Sequence, residues 1–554
     1  MKKASAYLWV FSAIIFLICS CDNCSTNSNG AKAPVIQDSS IYTKQNYSEL
    51  ILDSCYVNEY LKKDKSAKEF APDIFSFYGR RGYQSAWFVN GRLSNSASNF
   101  MSMLRDYQEN FEDSSLRLNE IQSLIAFQDM DSNYFERNHE AKLLLEMKLT
   151  TTFFKYAKKA YSGTDKNPKD LEWFIPRKKK SYEMLIDSLV AEPKIYDKYE
   201  PVNELYKHLK VALVNYRSIE KKGGFPIVKM KEKKLSLNDS ADAIADLKKY
   251  LKVSGDYNSD DTSFHYTTDL QTAVIRFQKR MGLTPDGIIG ASMLRELNIP
   301  IAGRIKQIML NMERLRWMPD VMPENYFMVN IPEFRLHIFE QGKYAWSSDV
   351  VVGKAATSTV IFTGMMSMVV FSPYWNVPPS IIKNELLPIL RRNRNYLKKA
   401  NMQAVSGNTI LNPSRIRWWR YNNAVPFTIR QMPGSENSLG LVKFLFPNSY
   451  NIYLHDTPAK SLFGQTNRAF SHGCIRVAEA GRLANYIFRS DTVYTVEKID
   501  SLMNSGVEKT VNLKTPIPVF ICYFTAWVNQ DGMLNFRKDI YGHDEKLAKE
   551  IFVN

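Results

Sequence analysis

Residues Asn451–Val477, NIYLHDTPAKSLFGQTNRAFSHGCIRV, bring one cysteine and two histidines together in a chain of 554 residues that holds only 6 Cys and 7 His. Read as a strand, Tyr450–Pro458 sends alternate side chains to opposite faces. Ile452 and Leu454 then turn to a core, and Tyr453 and His455 turn to the other side. Downstream, Gly473 stands immediately before Cys474, where a residue without a side chain lets the backbone turn sharply and leaves N–H groups exposed. A carbonyl oxygen beside Cys474 would find donors in the backbone of Gly473 and Cys474 and in the Tyr453 hydroxyl, together an oxyanion hole. His455 or His472 would lower the thiol pKa or take its proton. On the residues alone three readings stay open: a nucleophile, a zinc site of His455, His472 and Cys474, and a buried structural thiol. The polar Ser-His-Gly-Cys turn weighs against the last, and the lack of a specified carboxylate or water partner weighs against the zinc site.

Working outward, the period of the surrounding sequence is that of strands. Asn325–Lys354, NYFMVNIPEFRLHIFEQGKYAWSSDVVVGK, alternates and is rich in Val, Ile and Phe, with a Gln341-Gly342 turn between two strands. A mainly β domain is expected over 301–554. Within it, Pro378–Gln403, PPSIIKNELLPILRRNRNYLKKANMQ, reads as helix, and a helical lid insertion is expected over about 379–425. Before it, Thr267–Ile299 contains a helix with Leu270, Val274 and Phe277 on one face, a turn at Pro285-Asp286-Gly287 and a second short helix. From Asn46 to Met230, segments such as NFMSMLRDYQENF and VNELYKHLKVALVNYRSI place apolar residues three and four apart, as amphipathic helices require. His139 and His208 read as ordinary histidines there. FYGRRGYQSAWF is expected to anchor a core through Tyr83 and Trp87, and its Arg80-Arg81 pair is available to an anionic ligand.

The length calls for three or four domains. A formal charge of +16 favours an anionic partner: nucleic acid, a membrane face or an acidic polymer. The first residues choose among these. MKKASAYLWVFSAIIFLICSC has two lysines followed by an uncharged apolar run, the layout of a secretory signal peptide (1–20). Ile18-Cys19-Ser20-Cys21 resembles a bacterial lipobox, with Cys21 the lipidated residue and 21–45 a flexible tether to a membrane. The remainder then lies outside the cytoplasm, in the cell envelope facing the periplasm, which excludes nucleic acid as a partner. The six cysteines form no dense disulfide framework, though a single Cys24–Cys55 bridge is compatible with their placing.

His455, followed by Ser471-His472-Gly473-Cys474-Ile475-Arg476, resembles the signature of the L,D-transpeptidases, the YkuD-type cysteine enzymes of peptidoglycan. YWNVPPSI at Tyr374–Ile381, RQMPGSENSLGLVKFLFPN at Arg430–Asn448 and PIPVFICYFTAWVNQDG after Pro516 extend the likeness. AVIRFQKRMGLTPDGIIG, with Gly282, Asp286, Gly287 and Gly290 at its turns, resembles the three-helix peptidoglycan-binding module of cell-wall enzymes. The whole is similar to the large multidomain YcbB type. That resemblance implies a multidomain α+β fold: a helical scaffold domain (46–234), a peptidoglycan-binding module (235–300) and a mainly-β catalytic domain (301–554). It implies Cys474 as nucleophile, His455 as its base, His472 as a residue orienting the turn and substrate, and Tyr453 with the Gly473 and Cys474 backbone as oxyanion hole. Arg476 would bind a substrate carboxylate or brace the loop, Ser471 would stabilise the turn, and Trp375 and Asn376 would line the cleft or belong to the core. His337, His543 and Cys522 would be structural. The implied reaction joins tetrapeptide stems into 3-3 cross-links with no metal or organic cofactor. Water as acceptor would give an L,D-carboxypeptidase instead. Peptidoglycan, a membrane reached through the lipid, and other cell-wall synthesis proteins are the implied partners. The competing readings are a non-catalytic wall-binding lipoprotein and a papain-like endopeptidase, which normally places its cysteine before its histidine.

Overall fold

The computed structural model describes residues 50–116, 118–177, 180–191 and 199–552. The signal peptide, the lipidation reading at Cys21, the tether and Cys24 lie outside them. Among the described residues no helix is long and apolar enough to cross a membrane. The chain divides into two compact units. The first takes the described residues up to Arg105, then Ser114–Tyr156 and Ser181–Tyr199; the second takes Asp106–Asp113, Ala157–Lys180 and everything from Glu200 on.

The first unit is helical. Helix Ala71–Arg80 buries Ile74, Phe77 and Tyr78, the three-and-four spacing of one apolar face. Each such burial contributes about 1.5–3 kcal/mol. Helix His139–Ala157 carries a carboxylate, Glu146, that is fully buried. Its oxygens accept from the Tyr78 hydroxyl at 2.8 Å, Ser85 Oγ at 2.6 Å, and the N–H groups of Ala86 and Trp87 at 2.8 and 3.1 Å. A buried charge needs such donors to offset its lost hydration. Trp87 is fully buried and stacks on Phe100, as FYGRRGYQSAWF led us to expect. Tyr83 differs: it is only half-buried and takes a left-handed turn conformation, φ 60°. Arg80 is held by Glu183 and Asp187 at 2.6 and 2.9 Å.

In the second unit, helices Asp242–Val253, Thr268–Arg280 and Ala291–Leu297 form the small helical module. Leu270, Val274 and Phe277 are buried together. Gln278 and Arg280 serve its fold. The Gln278 amide donates to Asp286 Oδ1 and the Ile288 carbonyl, and its oxygen accepts from the Gly287 N–H. Arg280 is ion-paired with the buried Asp256.

The main sheet has nine strands. They are β1 Tyr326–Asn330, β2 Arg335–Glu340, β3 Lys343–Gly353 and β4 Phe362–Phe371. After the inserted strands β5 Trp375–Asn376, β6 Met402–Ser406, β7 Thr409–Leu411 and β8 Thr428–Gln431 come β9 Val442–Leu445, β10 Leu454–His455, β11 Ala469–Ser471, β12 Ile475–Val477 and β13 Lys509–Cys522. The order is β11-β3-β12-β10-β9-β4-β13-β1-β2, and a further β2–β3 pairing closes the sheet on itself. Pro516 and Pro518 interrupt the period of β13, and the register against β4 shifts between Asn512 and Ile517, where a residue without an N–H is tolerated. A short ribbon, β14 Ala526–Val528 with β15 Leu534–Phe536, follows.

The insertion has a hydrophobic cluster of its own, including Ile381, Leu387, Leu390, Leu397, Trp418 and Ile429. It is helical in its first half, within Pro379–Lys399. Its second half supplies strands to a separate four-stranded sheet, β5-β8-β6-β7. Trp375, on β5, packs against that cluster, and Asn376 is exposed.

Candidate active site

Strand register builds the site. β10 lies between β9 and β12, so Lys443, His455 and Arg476 form one cross-strand row. Parallel pairing of Leu454 with Ile475 places Tyr453 beside Cys474. Ile452 and Leu454 face the core, 5% and 0% exposed. His455, expected to face outward, is also buried, 4% exposed, because the opposite side of β10 is covered too.

Burial, then the Arg476 charge and the Lys443 charge, push His455 down to about 4 against a single opposing hydrogen bond and the Asp456 charge. Its Nδ1 lies 2.5 Å from the Asp456 carbonyl oxygen. A carbonyl only accepts, so Nδ1 carries the proton and Nε2 keeps its lone pair. At neutral pH His455 is therefore an uncharged base. Asp456 is itself fixed, its carboxylate accepting from the Leu441 N–H at 2.9 Å and from Lys460 at 2.5 Å.

Burial raises the Cys474 thiol above its ordinary value, opposed by the N–H and hydroxyl of Tyr453 and by the Arg476 charge. The resting thiol donates to the Asn451 carbonyl at 3.5 Å. Burial likewise raises Tyr453, and the neighbouring Cys474 adds to it, so its hydroxyl keeps its proton as a donor. Arg476 is half-buried, and its Nε is buried with no hydrogen-bond partner. Burial lowers its pKa, yet no carboxylate pairs with it among the described residues.

The turn before the thiol differs from expectation at Gly473. Its N–H is already taken by Ser471 Oγ at 3.1 Å, and Ser471 Oγ in turn donates to the Cys474 carbonyl at 2.6 Å. Gly473 therefore contributes its backbone conformation, φ 114°, which side-chain-bearing residues rarely adopt. The donors left for an oxyanion are the Cys474 N–H and the Tyr453 hydroxyl. Two threonines brace the turn from the loop after β3: Thr357 Oγ1 donates to the Ser471 carbonyl at 3.1 Å and Thr359 Oγ1 to the Gly473 carbonyl at 2.8 Å. Sequence reasoning had not singled them out, nor Lys443. His472 points away from this cluster, its Nε2 2.9 Å from Glu385 of the insertion. No group of three or more His, Cys, Asp or Glu able to hold a metal occurs among the described residues. His543 and Cys522 are buried away from the site, and His337 pairs with Glu333 at 2.8 Å.

Comparison with known proteins assigns the parts. Residues 324–495 match the L,D-transpeptidase catalytic domain (YkuD), residues 72–213 a scaffold domain, and residues 240–297 a "Putative peptidoglycan binding domain". Over 243 residues the chain is 33% identical to a "Putative L,D-transpeptidase" of Haemophilus influenzae, covering 44% of this chain and 49% of that one. The chain thus spans about half the length of the curated relative it matches. Among solved structures, an L,D-transpeptidase from Mycobacterium smegmatis aligns at 13% identity and TM-score 0.19 over 36% of this chain and 58% of its own. One from Stackebrandtia nassauensis aligns at 12% identity and TM-score 0.22 over 54% and 96%. TM-scores this low leave the assignment with the sequence matches. On those matches three stretches of the chain are similar, in order, to a scaffold domain, a peptidoglycan-binding domain and a YkuD-type L,D-transpeptidase catalytic domain.

Proposed function

We propose that this chain is a cysteine L,D-transpeptidase that forms 3-3 cross-links in peptidoglycan. The observation that supports the reading is the row Lys443–His455–Arg476 beside the Tyr453–Cys474 pair: a neutral base, a thiol and a guanidinium whose Nε has no partner stand at neighbouring positions of paired strands.

In the first step Cys474 Sγ, its proton passed to His455 Nε2, attacks the carbonyl of the third stem residue. The oxyanion that develops is met by the Cys474 N–H and the Tyr453 hydroxyl. Collapse breaks the peptide bond to the terminal D-alanine, which leaves as an amine with the proton from His455, and a thioester remains. In the second step the side-chain amine on the third residue of another stem attacks the thioester, His455 takes its proton, and the thiol is restored. Arg476 is suited to the carboxylate that marks a stem terminus. The insertion, anchored through Glu385 and His472, serves as a lid that limits water at the thioester.

An N-terminal lipid on Cys21 would hold the enzyme at a membrane facing the wall. Labelling with a radioactive fatty acid, lost in Cys21→Ala, tests this part. For the reaction, the soluble chain is incubated with disaccharide-tetrapeptide and products are followed by mass spectrometry beside Cys474→Ala. A cross-linked dimer lacking one D-alanine, absent from the control, is expected. Tripeptide alone would make the enzyme an L,D-carboxypeptidase, and no turnover would leave a wall-binding lipoprotein.

A further inference from the structure

One face of the β1–β2–β3 meander remains without a role in the chemistry. Residues on it recur at every second position, as a pleat requires, and register aligns them in three rows. Tyr326, Phe339 and Tyr344 form an aromatic row; Met328, His337 and Ser347 form the second; Asn330, Arg335 and Asp349 form a charged one. This face is the floor of a cavity of about 1000 Å³ that none of Tyr453, His455, His472 or Cys474 lines. Its walls are the Gly282–Pro285 turn of the small helical module with Lys279, the β14–β15 ribbon with Trp527 and Arg537, and the loop Gly464–Thr466 with Arg468.

The walls are fixed to one another. Thr284 Oγ1 and Thr466 Oγ1 are 2.8 Å apart, Arg280 donates to the Leu534 carbonyl, and Arg537 donates to the Arg280 carbonyl. Gly282 is required at that junction: a Cβ there would stand 2.5 Å from Arg537 Cδ.

Charge on the floor is mixed and unbalanced. Arg335 and Arg468 share the single carboxylate of Asp349 at 3.0 Å each. Glu333 is held ionised by His337 and Arg537 although burial opposes it. Lys279 is exposed and has no carboxylate partner among the described residues. Glu204 and Asp320, the other lining carboxylates, are each paired with a lysine outside the cavity. Four cations thus face two carboxylates.

We propose that this cavity binds a non-reacting segment of peptidoglycan, a disaccharide carrying its tetrapeptide stem, at a second site apart from Cys474. The proposal rests on peptidoglycan being the substrate. Sugar faces pack on aromatic rings such as Phe339, Tyr344 and Trp527, all half-buried and accessible. Stem carboxylates find Lys279 and Arg537, and a stem amine finds Glu333 or Asp349. The volume is at the upper end for ligand cavities, roughly 300–1,000 Å³, as a disaccharide-tetrapeptide needs. A purely anionic ligand would make no use of the two carboxylates, and an apolar one would leave the surplus of cations unanswered.

The test occupies the catalytic site first. The full soluble chain is acylated at Cys474 with a β-lactam, checked by mass, and titrated calorimetrically with disaccharide-tetrapeptide. Binding to the acyl-enzyme is expected. It should weaken at least fivefold in Lys279→Glu and in Tyr344→Ala, both of which should be acylated at the wild-type rate and so be folded. No binding to the acyl-enzyme, or equal binding by both variants, overturns the proposal. Failure of acylation would strike the catalytic reading instead, and the same titration run on Cys474→Ala with the two variants would then decide the cavity.

Discussion

Replacing Arg476 by methionine separates the two roles open to it. The side chain stays long and apolar enough to fill its half-buried place, while the guanidinium, whose Nε has no partner in the fold, disappears. A charged group that is buried and unpaired costs stability, so its removal should leave Tm unchanged or raise it. Catalysis should suffer. A hydrogen bond to a charged partner contributes about 1.5–3 kcal/mol; at 1.36 kcal/mol per decade kcat/KM should fall by about 10- to 150-fold. The same change removes one of the two cations that hold His455 near 4, so the acid limb of the kcat/KM profile should move to higher pH. The assay is D-alanine release from disaccharide-tetrapeptide across pH 3–8, with thermal unfolding alongside. A fall in Tm with unchanged kcat/KM would show that Arg476 only braces the loop, and the carboxylate reading would be refuted.

His455 and His543 are both pushed down to about 4, chiefly by burial. A histidine depressed in the fold binds its proton more readily when unfolded, so its contribution is complete above about 6.5 and is lost as pH falls towards 4; denaturant titration of His455→Gln should show a shallower loss of stability over that window. Gly473→Ala has room for its Cβ, the nearest atom being 3.8 Å away, but must hold φ 114°; about 1–3 kcal/mol of strain should lower Tm and slow β-lactam acylation. Glu385→Gln breaks an exposed pair worth about 0–1 kcal/mol, so Tm should hold while the ratio of tripeptide to cross-linked product rises as the lid loosens; an unchanged ratio would separate Glu385 from water exclusion. Glu146→Gln sets an NH2 against the N–H and O–H donors that now meet a carboxylate, and should destabilise the helical unit by about 1–3 kcal/mol or more, visible as faster proteolysis there.

The residues legible in the sequence were those whose neighbours in space are their neighbours in the chain. Tyr453, His455 and the Ser471–Cys474 turn fall in two short stretches, and the alternation of Ile452 with Leu454 was enough to orient the strand. Lys443 could not be read that way: it meets His455 only because β9 and β10 pair in one register. Thr357 and Thr359 reach the turn from a loop over a hundred residues upstream. The burial of His455 was missed for a related reason, since alternation gives two faces without saying that both are covered. Gly473 is the instructive case, because the signal was present: a serine two residues before an N–H is placed to accept from it, and Ser471 does. The insertion read as helix because its first half is helical; the strands of its second half are too short to show a period and are held by pairing with each other and with β8.

The row Lys443–His455–Arg476 also bears on how such a site restrains its own reactivity. The two groups to which the proposed function gives the roles of base and nucleophile are both neutral at rest: burial and two flanking cations strip the proton from His455, and burial keeps it on Cys474. A neutral thiol is a weak nucleophile and a poor target for oxidants. On the proposed function, a stem whose carboxylate pairs with Arg476 cancels one of the two charges opposing the imidazolium. The basicity of His455 then rises when a substrate is present and only then, as the thiol must surrender its proton. The pKa governing kcat should accordingly lie above the one governing kcat/KM, and the gap should close in Arg476→Met, where no charge remains for the substrate to cancel. A single pKa shared by both profiles in the unaltered protein would mean that Arg476 is neutralised by something other than the stem.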